Sequence, residues 1–358
     1  MFAGFTAALA AIVFRPTTTF HFGQLNMFDT PTIVSDTGQQ NRLVHFAGTI
    51  ARAAPTLDAF TISELDSDSD ATDFALHLSA AFGEHWSVTD TTTPSGVQLI
   101  GGGMRIATRL PIEGVRVYTF SAADSMFAPG SAKFDGLSAK GVVWARVRRE
   151  GVPVNIFSAH LQAWGDETSQ QVRTQQLCEA AQWIASLNIS DVEPVLFGGD
   201  FNADDVVVPG FTEIPYAGFS IDPKTNHLVG ADGEASANGC ISEYENTGLC
   251  ECCEQSRLDH VLWSGREPTA ANASVVRLLA DEPVFRGFRD LSDHFMVLAD
   301  VDYIGLQKLP PRIGQLECHN IGTFGCNEGC SWRSPFEVFV GRAAGCVPGY
   351  APVACVAF

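Results

Sequence analysis

Short apolar runs alternate with amphipathic stretches along most of the chain, and the apolar runs tend to stop at a polar residue. That alternation is the pattern of an α/β protein, in which strands form buried sheets and helices cover them. Residues 19–27 read as a strand, and residues 40–53 place Leu43, Phe46, Ile50 and Ala53 on one helical face. Residues 57–63 read as a strand ending at Glu64, and 72–82 as a helix. Further strands are predicted at 104–108, 115–120, 142–148 and 154–159, with Arg148-Arg149-Glu150-Gly151 turning the chain between the last two. A helix over 169–187 turns Val172, Leu177, Ala180 and Ile184 inward and stops before Pro194. The strand that follows, 195–199, stops at Asp200, and the last strong strands are 258–263 and 295–301. No internal repeat is evident.

A chain of 358 residues with 46% hydrophobic and 18% charged residues can bury about three quarters of its unfolded surface. Intrinsic disorder, a collagen-like repeat and a multi-span membrane protein are excluded, since no apolar run reaches the ~18 residues that cross a bilayer. The formal net charge of −19 disfavours tight, stable nucleic-acid binding, because an acidic surface repels phosphate backbones. A phosphodiester substrate stays compatible with it, because a bound divalent cation reverses the sign locally.

Ten cysteines are unevenly placed. Cys178 stands alone, Cys240, Cys250, Cys252 and Cys253 lie in a polar insertion at 230–254, and Cys318, Cys326, Cys330, Cys346 and Cys355 lie in the tail. Both clusters occupy loop-like sequence where disulfides would supply missing cross-links. A zinc site from Cys252, Cys253, Cys326 and Cys330 with His319 is the rival, unsupported by any paired CxxC spacing. Sequons at Asn188 and Asn272 fit an oxidising, secretory route. Residues 1–14 are apolar enough for a signal-peptide core but lack a basic flank; a signal remnant is favoured over a buried first segment. The expected organisation is an apolar segment at 1–16, a catalytic domain at 17–303 and a disulfide-rich extension at 304–358, in a secreted monomer.

Asn26, Glu64, His160, Asp200 with Asn202, Asp259, and Asp293 with His294 recur at or near the ends of apolar strands. Such positions set a side chain at the rim of a sheet, held by the core yet reachable from solvent. Taken singly, each is an ordinary turn former, cap or core histidine. Together they form a chemical kit. Oxygen donors from Glu64, Asp293 and the Asn26 amide suit a hard cation such as Mg²⁺. His160 and His294 suit proton transfer at a phosphorus centre. Asp200 can orient or deprotonate a water, Asn202 can donate to a phosphoryl oxygen, and Asp259 can fix the tautomer of His294.

Gly198-Gly-Asp-Phe-Asn202, Arg257-Leu-Asp259 and Ser292-Asp-His294 resemble the endonuclease/exonuclease/phosphatase superfamily. The resemblance implies a four-layered α/β/β/α sandwich that hydrolyses phosphodiesters with a divalent metal. Ala139-Lys-Gly-Val-Val143, Ser158-Ala-His-Leu-Gln-Ala163, Val172-Arg-Thr-Gln-Gln-Leu177, Gly102-Gly103 before Ile106-Ala-Thr-Arg-Leu-Pro111, and Asp222-Pro-Lys-Thr-Asn226 resemble secreted sphingomyelinases of the bacterial type. That branch implies cleavage of sphingomyelin to ceramide and phosphocholine, with transient contact at a membrane surface. It further implies that Glu64 holds the metal and that Asn26, Asp200 and Asn202 arrange metal, water and phosphate. His294 would be the general base oriented by Asp259, His160 would stabilise the phosphoryl group or protonate the leaving oxygen, and Asp293 would belong to the metal side. A nuclease or phosphoinositide phosphatase on the same scaffold is the first alternative, and a non-catalytic cysteine-stapled protein the second.

Two features depart from that branch. Leu99-Ile100-Gly101 stands where an acidic pair can bind a second, edge metal, and Asp68 reads either as a remnant of that site or as a solvated loop acid. The stretch before Ser292 offers only Phe285 and Phe288 in place of an aromatic hairpin. The tail aromatics Phe324, Trp332, Phe336 and Phe339 read either as a lipid-facing surface or as buried staples of a small cross-linked module, and Arg146, Arg148 and Arg149 either as a lipid-binding patch or as a solvated hairpin edge.

Overall fold

Two six-stranded mixed sheets carry the chain. In a computed structural model, the structure describes residues 17–29, 31, 38–95, 98–123, 135–203, 205–214, 220–221, 228–229, 257–284, 289–304 and 353–354. Every cysteine except Cys178 lies outside the described residues, and so do residues 1–16, the insertion at 230–254, Phe285, Phe288 and the tail aromatics.

In chain order the elements are β1 (Thr17–Asp29), α1 (Gln39–Ala53), β2 (Ala59–Leu65), α2 (Asp68–Phe82), β3 (Ser87–Val88), β4 (Arg105–Thr108) and β5 (Ile112–Thr119). They continue with β6 (Gly141–Arg149), β7 (Val152–His160), α3 (Glu167–Ser186), β8 (Pro194–Asp200), β9 (Thr212–Glu213), β10 (Asp259–Gly265), β11 (Ala270–Val276) and β12 (Met296–Ile304). The first sheet runs β11-β12-β1-β2-β4-β3 and the second β9-β10-β8-β7-β6-β5. The sheets pack face to face through Phe20, Phe22, Ile106, Val143, Ile156 and Leu196, all fully buried. Leu43, Phe46 and Ile50 of α1 and Phe74 and Leu78 of α2 cover the outer face of the first sheet against Leu25 and Phe60. Leu177 and Ala180 of α3 cover the second against Phe157 and Phe197. The result is the expected α/β/β/α sandwich, and each buried Phe or Leu contributes roughly 1.5–3 kcal/mol.

The differences from the sequence reading are local. Helix α2 begins at Asp68, not 72, because the Ser67 hydroxyl accepts the Asp70 amide at 3.2 Å and Asp68 and Asp70 sit in the first turn. The acidic run that read as a loop is therefore a helix start. Helix α3 begins at Glu167 for the same reason, with Asp166 accepting the Ser169 amide at 3.1 Å. Strand β11, Ala-Ala-Asn-Ala-Ser-Val-Val, is an addition; as an edge strand it needs little apolar alternation. The β6–β7 turn is as expected, with Glu150 and Gly151 both at positive φ (51° and 85°), the backbone that suits the twist of a two-residue hairpin.

Strand register then brings chemistry together. Asp200 pairs with His160 on parallel β7 and with Asp259 on antiparallel β10, while Asn26 pairs with Ser63, the residue before Glu64. At Gly198 the two sheets approach closely, since a Cβ there would lie 2.2 Å from Thr61 Oγ1. Gly198→Ala is expected to destabilise the fold by ~1–3 kcal/mol through overpacking, read as a lower denaturation midpoint in urea with an unchanged slope.

Candidate active site

The functional side chains sit at or near strand ends, and beside Asn26, Glu64 and Asp200 the backbone is bent. Glu64 adopts a left-handed φ of 56° next to Gly103, whose own φ is 65° and whose missing Cβ leaves room for Glu64 and Asp66. Asn202 (φ 50°) and Phe28 (φ 52°) are strained in the same way, two residues beyond Asp200 and Asn26 respectively. Such conformations persist only where surrounding contacts enforce them. Asp200 Oδ1 accepts the Asn202 amide at 2.9 Å, and Asn26 Oδ1 accepts the Phe28 amide at 2.9 Å.

Three buried arginines hold the segments that follow Asn26, Glu64 and His160 by their backbone carbonyls. Arg42 donates to Met27 O at 2.8 Å, Phe28 O, and Leu291 O at 2.6 Å, tying the segment after Asn26 to the segment before Asp293. Arg105 donates to Leu65 O (2.7 Å), Thr89 O (3.1 Å) and Asp66 O (3.3 Å), fixing the chain beyond Glu64. Arg173 of α3 donates to Gln162 O at 2.9 Å and to Trp164 O, fixing the chain beyond His160. The Ser292 hydroxyl donates to Asn26 O at 2.6 Å and accepts the His294 amide at 3.0 Å, so Ser-Asp-His is docked directly on β1.

The carboxylates converge. The Asn26 amide nitrogen donates to Glu64 Oε1 and Asp200 Oδ2, both at 2.9 Å. It lies between them as a donor, which two acceptor-only groups at this separation require. His160 Nε2 is 3.7 Å from Asp200 Oδ2 and 3.9 Å from Glu64 Oε1, and His294 Nε2 is 3.8 Å from the same Asp200 oxygen. His294 Nδ1 donates to Asp259 Oδ2 at 2.6 Å. Among the described residues, ligand atoms of Glu64, His160 and Asp200 lie within 4.8 Å of one another, as do those of Asp200, Asp259 and His294. Asp293 belongs to neither group; its charge is nonetheless felt at Glu64.

Burial drives the titration of these groups. It raises Glu64 to about 7, with Asp293 adding to the effect, and Asp200 to about 6, with Asp259 adding. Burial would lower His294, but Asp259, Asp293 and Asp200 outweigh it and hold the ring well above its usual range. His160 is held well below the usual range by burial and by the neighbouring Lys140.

Lys140 is the site residue that strand-end reasoning missed. Its buried ammonium lies 3.1 Å from His160 Nε2, 2.6 Å from Leu161 O and 2.8 Å from Asp135 Oδ1. Leu161 O also accepts the Asn202 side-chain amide at 3.0 Å, so Lys140, His160 and Asn202 share one small polar pocket. The sequence signal was a lysine opening a strand, Ala139-Lys-Gly-Val-Val143, quoted for its resemblance but not for its charge. At two places the structure decides between alternative readings. Asp68 is 89% exposed and pairs with Arg105 at 2.7 Å, a solvated acid as read, though at the start of α2 and not in a loop. Arg146, Arg148 and Arg149 pair with Glu193, Glu113 and Asp58, so they are an ion-paired strand edge and not an open cationic patch. Ile100 and Gly101, where an acidic pair was looked for, pair instead with Ser138 and Ala139.

A family model described as the Endonuclease/Exonuclease/phosphatase family matches residues 35–294. Sphingomyelinase C of Bacillus cereus is 30% identical over 181 residues, 47% of this chain and 50% of that protein. Phospholipase C of Staphylococcus aureus is 25% identical over 159 residues, 40% of this chain and 45% of that protein. The chain thus spans about half the length of the curated relatives it matches. In fold it is similar to a mutant beta toxin from Staphylococcus aureus with bound magnesium ions, at a TM-score of 0.60 and 18% identity over 79% of this chain and 99% of that one. Sphingomyelinase C from Streptomyces griseocarneus gives the same TM-score, 0.60, at 18% identity over 79% of this chain and 99% of that one. With the match covering most of the chain and all of the converging rim except Asn26, the chain belongs to the Endonuclease/Exonuclease/phosphatase family.

Proposed function

We propose that the protein is a secreted, Mg²⁺-dependent phosphodiesterase of sphingomyelinase type, cleaving sphingomyelin to ceramide and phosphocholine at a membrane surface. The observation that carries the chemistry is the meeting of His160, from one sheet, and His294, from the segment that leads into β12 of the other, at a single Asp200 oxygen beside Glu64. The choice of lipid is supported by the 30% identity to the Bacillus cereus sphingomyelinase C and by the net charge of −19, which disfavours a polyanionic substrate.

The donor set fits a hard divalent cation. Half-buried Glu64 and buried Asp200 present carboxylate oxygens side by side, both raised in pKa, and the charge of Asp293 reaches Glu64; Asn26 turns its amide nitrogen toward both carboxylates, with its oxygen on the Phe28 amide. Asp259 is committed elsewhere, with one oxygen on His294 and the other on Gln24. When bound, the cation would supply the positive charge that lets an anionic diester approach these carboxylates.

The chain's own groups divide the remaining work. Asp259 accepts the Nδ1 proton of His294 and thereby fixes the tautomer that leaves Nε2 facing Asp200, where it takes a proton from the attacking water. Neutralising the surrounding carboxylates brings His294 down toward the working range of a base. His160 Nε2 accepts from Lys140, so in the neutral ring that nitrogen carries no proton for the leaving oxygen, and His160 serves by holding the Lys140 ammonium toward the phosphoryl group. Lys140 supplies the fixed positive charge of that pocket.

Three outcomes test this reading. Sphingomyelin, a lysophospholipid and plasmid DNA, each with Mg²⁺ and with chelator, should show Mg²⁺-restored turnover of sphingomyelin; cleavage of DNA without lipid turnover would sink the lipid assignment. His294→Ala and His160→Ala should each lower kcat by ~10²–10⁴ with unchanged far-ultraviolet circular dichroism. Glu64 binds more protons folded than unfolded between its ordinary 4.5 and about 7. Stability of the chelated protein therefore falls as pH rises through that window. Glu64→Gln, neutral throughout, should be more stable than wild type by on the order of 1 kcal/mol in chelator near about pH 8, with the gap closing toward about pH 5.

A further inference from the structure

Gln24 is fully buried on β1, two residues before Asn26, in the interior between the sheets. Its side-chain nitrogen donates to Asp259 Oδ1 at 2.9 Å, the oxygen of that carboxylate not taken by His294. The amide's other end is held too, since Thr61 Oγ1 donates to Gln24 Oε1 at 2.5 Å. The orientation of the amide follows from the partners. Asp259 is acceptor-only, so a reversed amide would set two oxygens against each other at hydrogen-bond distance. A four-membered line therefore runs from Thr61 through Gln24 and Asp259 to His294.

We propose that Gln24 is a positioning residue for His294, acting by pinning the plane of the Asp259 carboxylate. A carboxylate bonded at one oxygen can still rotate about its Cβ–Cγ bond; bonded at both, it cannot turn without losing one donor. The imidazole ring then inherits its direction from β1, the same strand that supplies Asn26 to Glu64 and Asp200. One strand thus sets the carboxylate group and the base in common register. Thr61 completes the arrangement from β2, at the point where Gly198 leaves room for its hydroxyl. The effect on rate rests on the reading of His294 as the base, whereas the effect on the Asp259–His294 pair does not.

Gln24→Met keeps the length of the side chain and removes its donor. Thr61→Val keeps shape and removes the hydroxyl that orients the amide, and serves where Gln24→Met fails to fold. Both are compared with wild type by the ¹H–¹⁵N signal of His294 Nδ1–H and by kcat and KM on sphingomyelin and on bis-p-nitrophenyl phosphate. The expected result for Gln24→Met is a shifted or faster-exchanging Nδ1–H signal with kcat reduced ~10–100-fold and KM nearly unchanged, and for Thr61→Val a smaller change in the same direction. An unmoved Nδ1–H signal in the folded variants overturns the proposal, whatever happens to the rate. A moved signal in an enzyme with no phosphodiesterase activity on either substrate leaves the positioning intact and instead overturns the functional reading.

Discussion

This sandwich must hold Asp200 within a few ångströms of Glu64 on one side and of Asp259 on the other, and much of the surrounding structure answers that demand. Desolvated carboxylates repel strongly where no bulk water screens them. Each is met by donors that come from different elements: Asn26 for Glu64 and Asp200, Gln24 and His294 for Asp259, the Asn202 amide for Asp200. Lys140 places a positive charge on the far side of His160. The same crowding that raises Glu64 and Asp200 above ordinary carboxylates makes the cluster a cation site, so stability and chemistry pull against each other at one place.

Rigidity around that cluster comes from buried guanidinium groups acting on backbone. Arg42, Arg105 and Arg173 each donate to carbonyls of the segments that follow a strand end bearing a functional residue. Planar, multivalent donors suit this task, because one side chain satisfies several carbonyls that a left-handed or bent backbone has turned out of its ladder. The positive φ values at Phe28 and Trp164 lie at residues whose carbonyls are so held, and that at Glu64 lies directly before the Leu65 and Asp66 carbonyls held by Arg105. Strain at the rim is thus supported by polar contacts beneath it, while the apolar layers further down set only the spacing of the sheets.

The departures from the bacterial pattern have structural replacements. Ile100 and Gly101 form a short parallel pair with Ser138 and Ala139, which leads directly into Lys140. Asp68, in turn, caps the Arg105 clamp. The segment at Ile100 and Gly101 thus anchors the chain that leads into Lys140, and Lys140 and Arg105 place positive charge at this edge of the site.

How much of this was legible in the sequence follows from range. Apolar periodicity gave the main strands and all three helices, because alternation at two or at three to four residues is local. Asn26, Glu64, His160, Asp200, Asn202, Asp259 and His294 could be picked out because each interrupts an apolar run at its end. Asp68 was misjudged because a capping serine and an acidic loop look alike until the helix is seen. Gln24, Thr61, Arg42, Arg105 and Lys140 carry no such mark: a polar residue inside a strand or on a helix face is noticed only when its partner is known. Those partners lie tens to hundreds of positions away, as with Gln24 and Asp259 or Arg42 and Leu291. Sequence alone therefore determined which residues end the strands and what chemistry they could offer. Tertiary structure decided which donor meets which carboxylate, since strand register and sheet-to-sheet distance are set by long-range packing and not by any local run of residues.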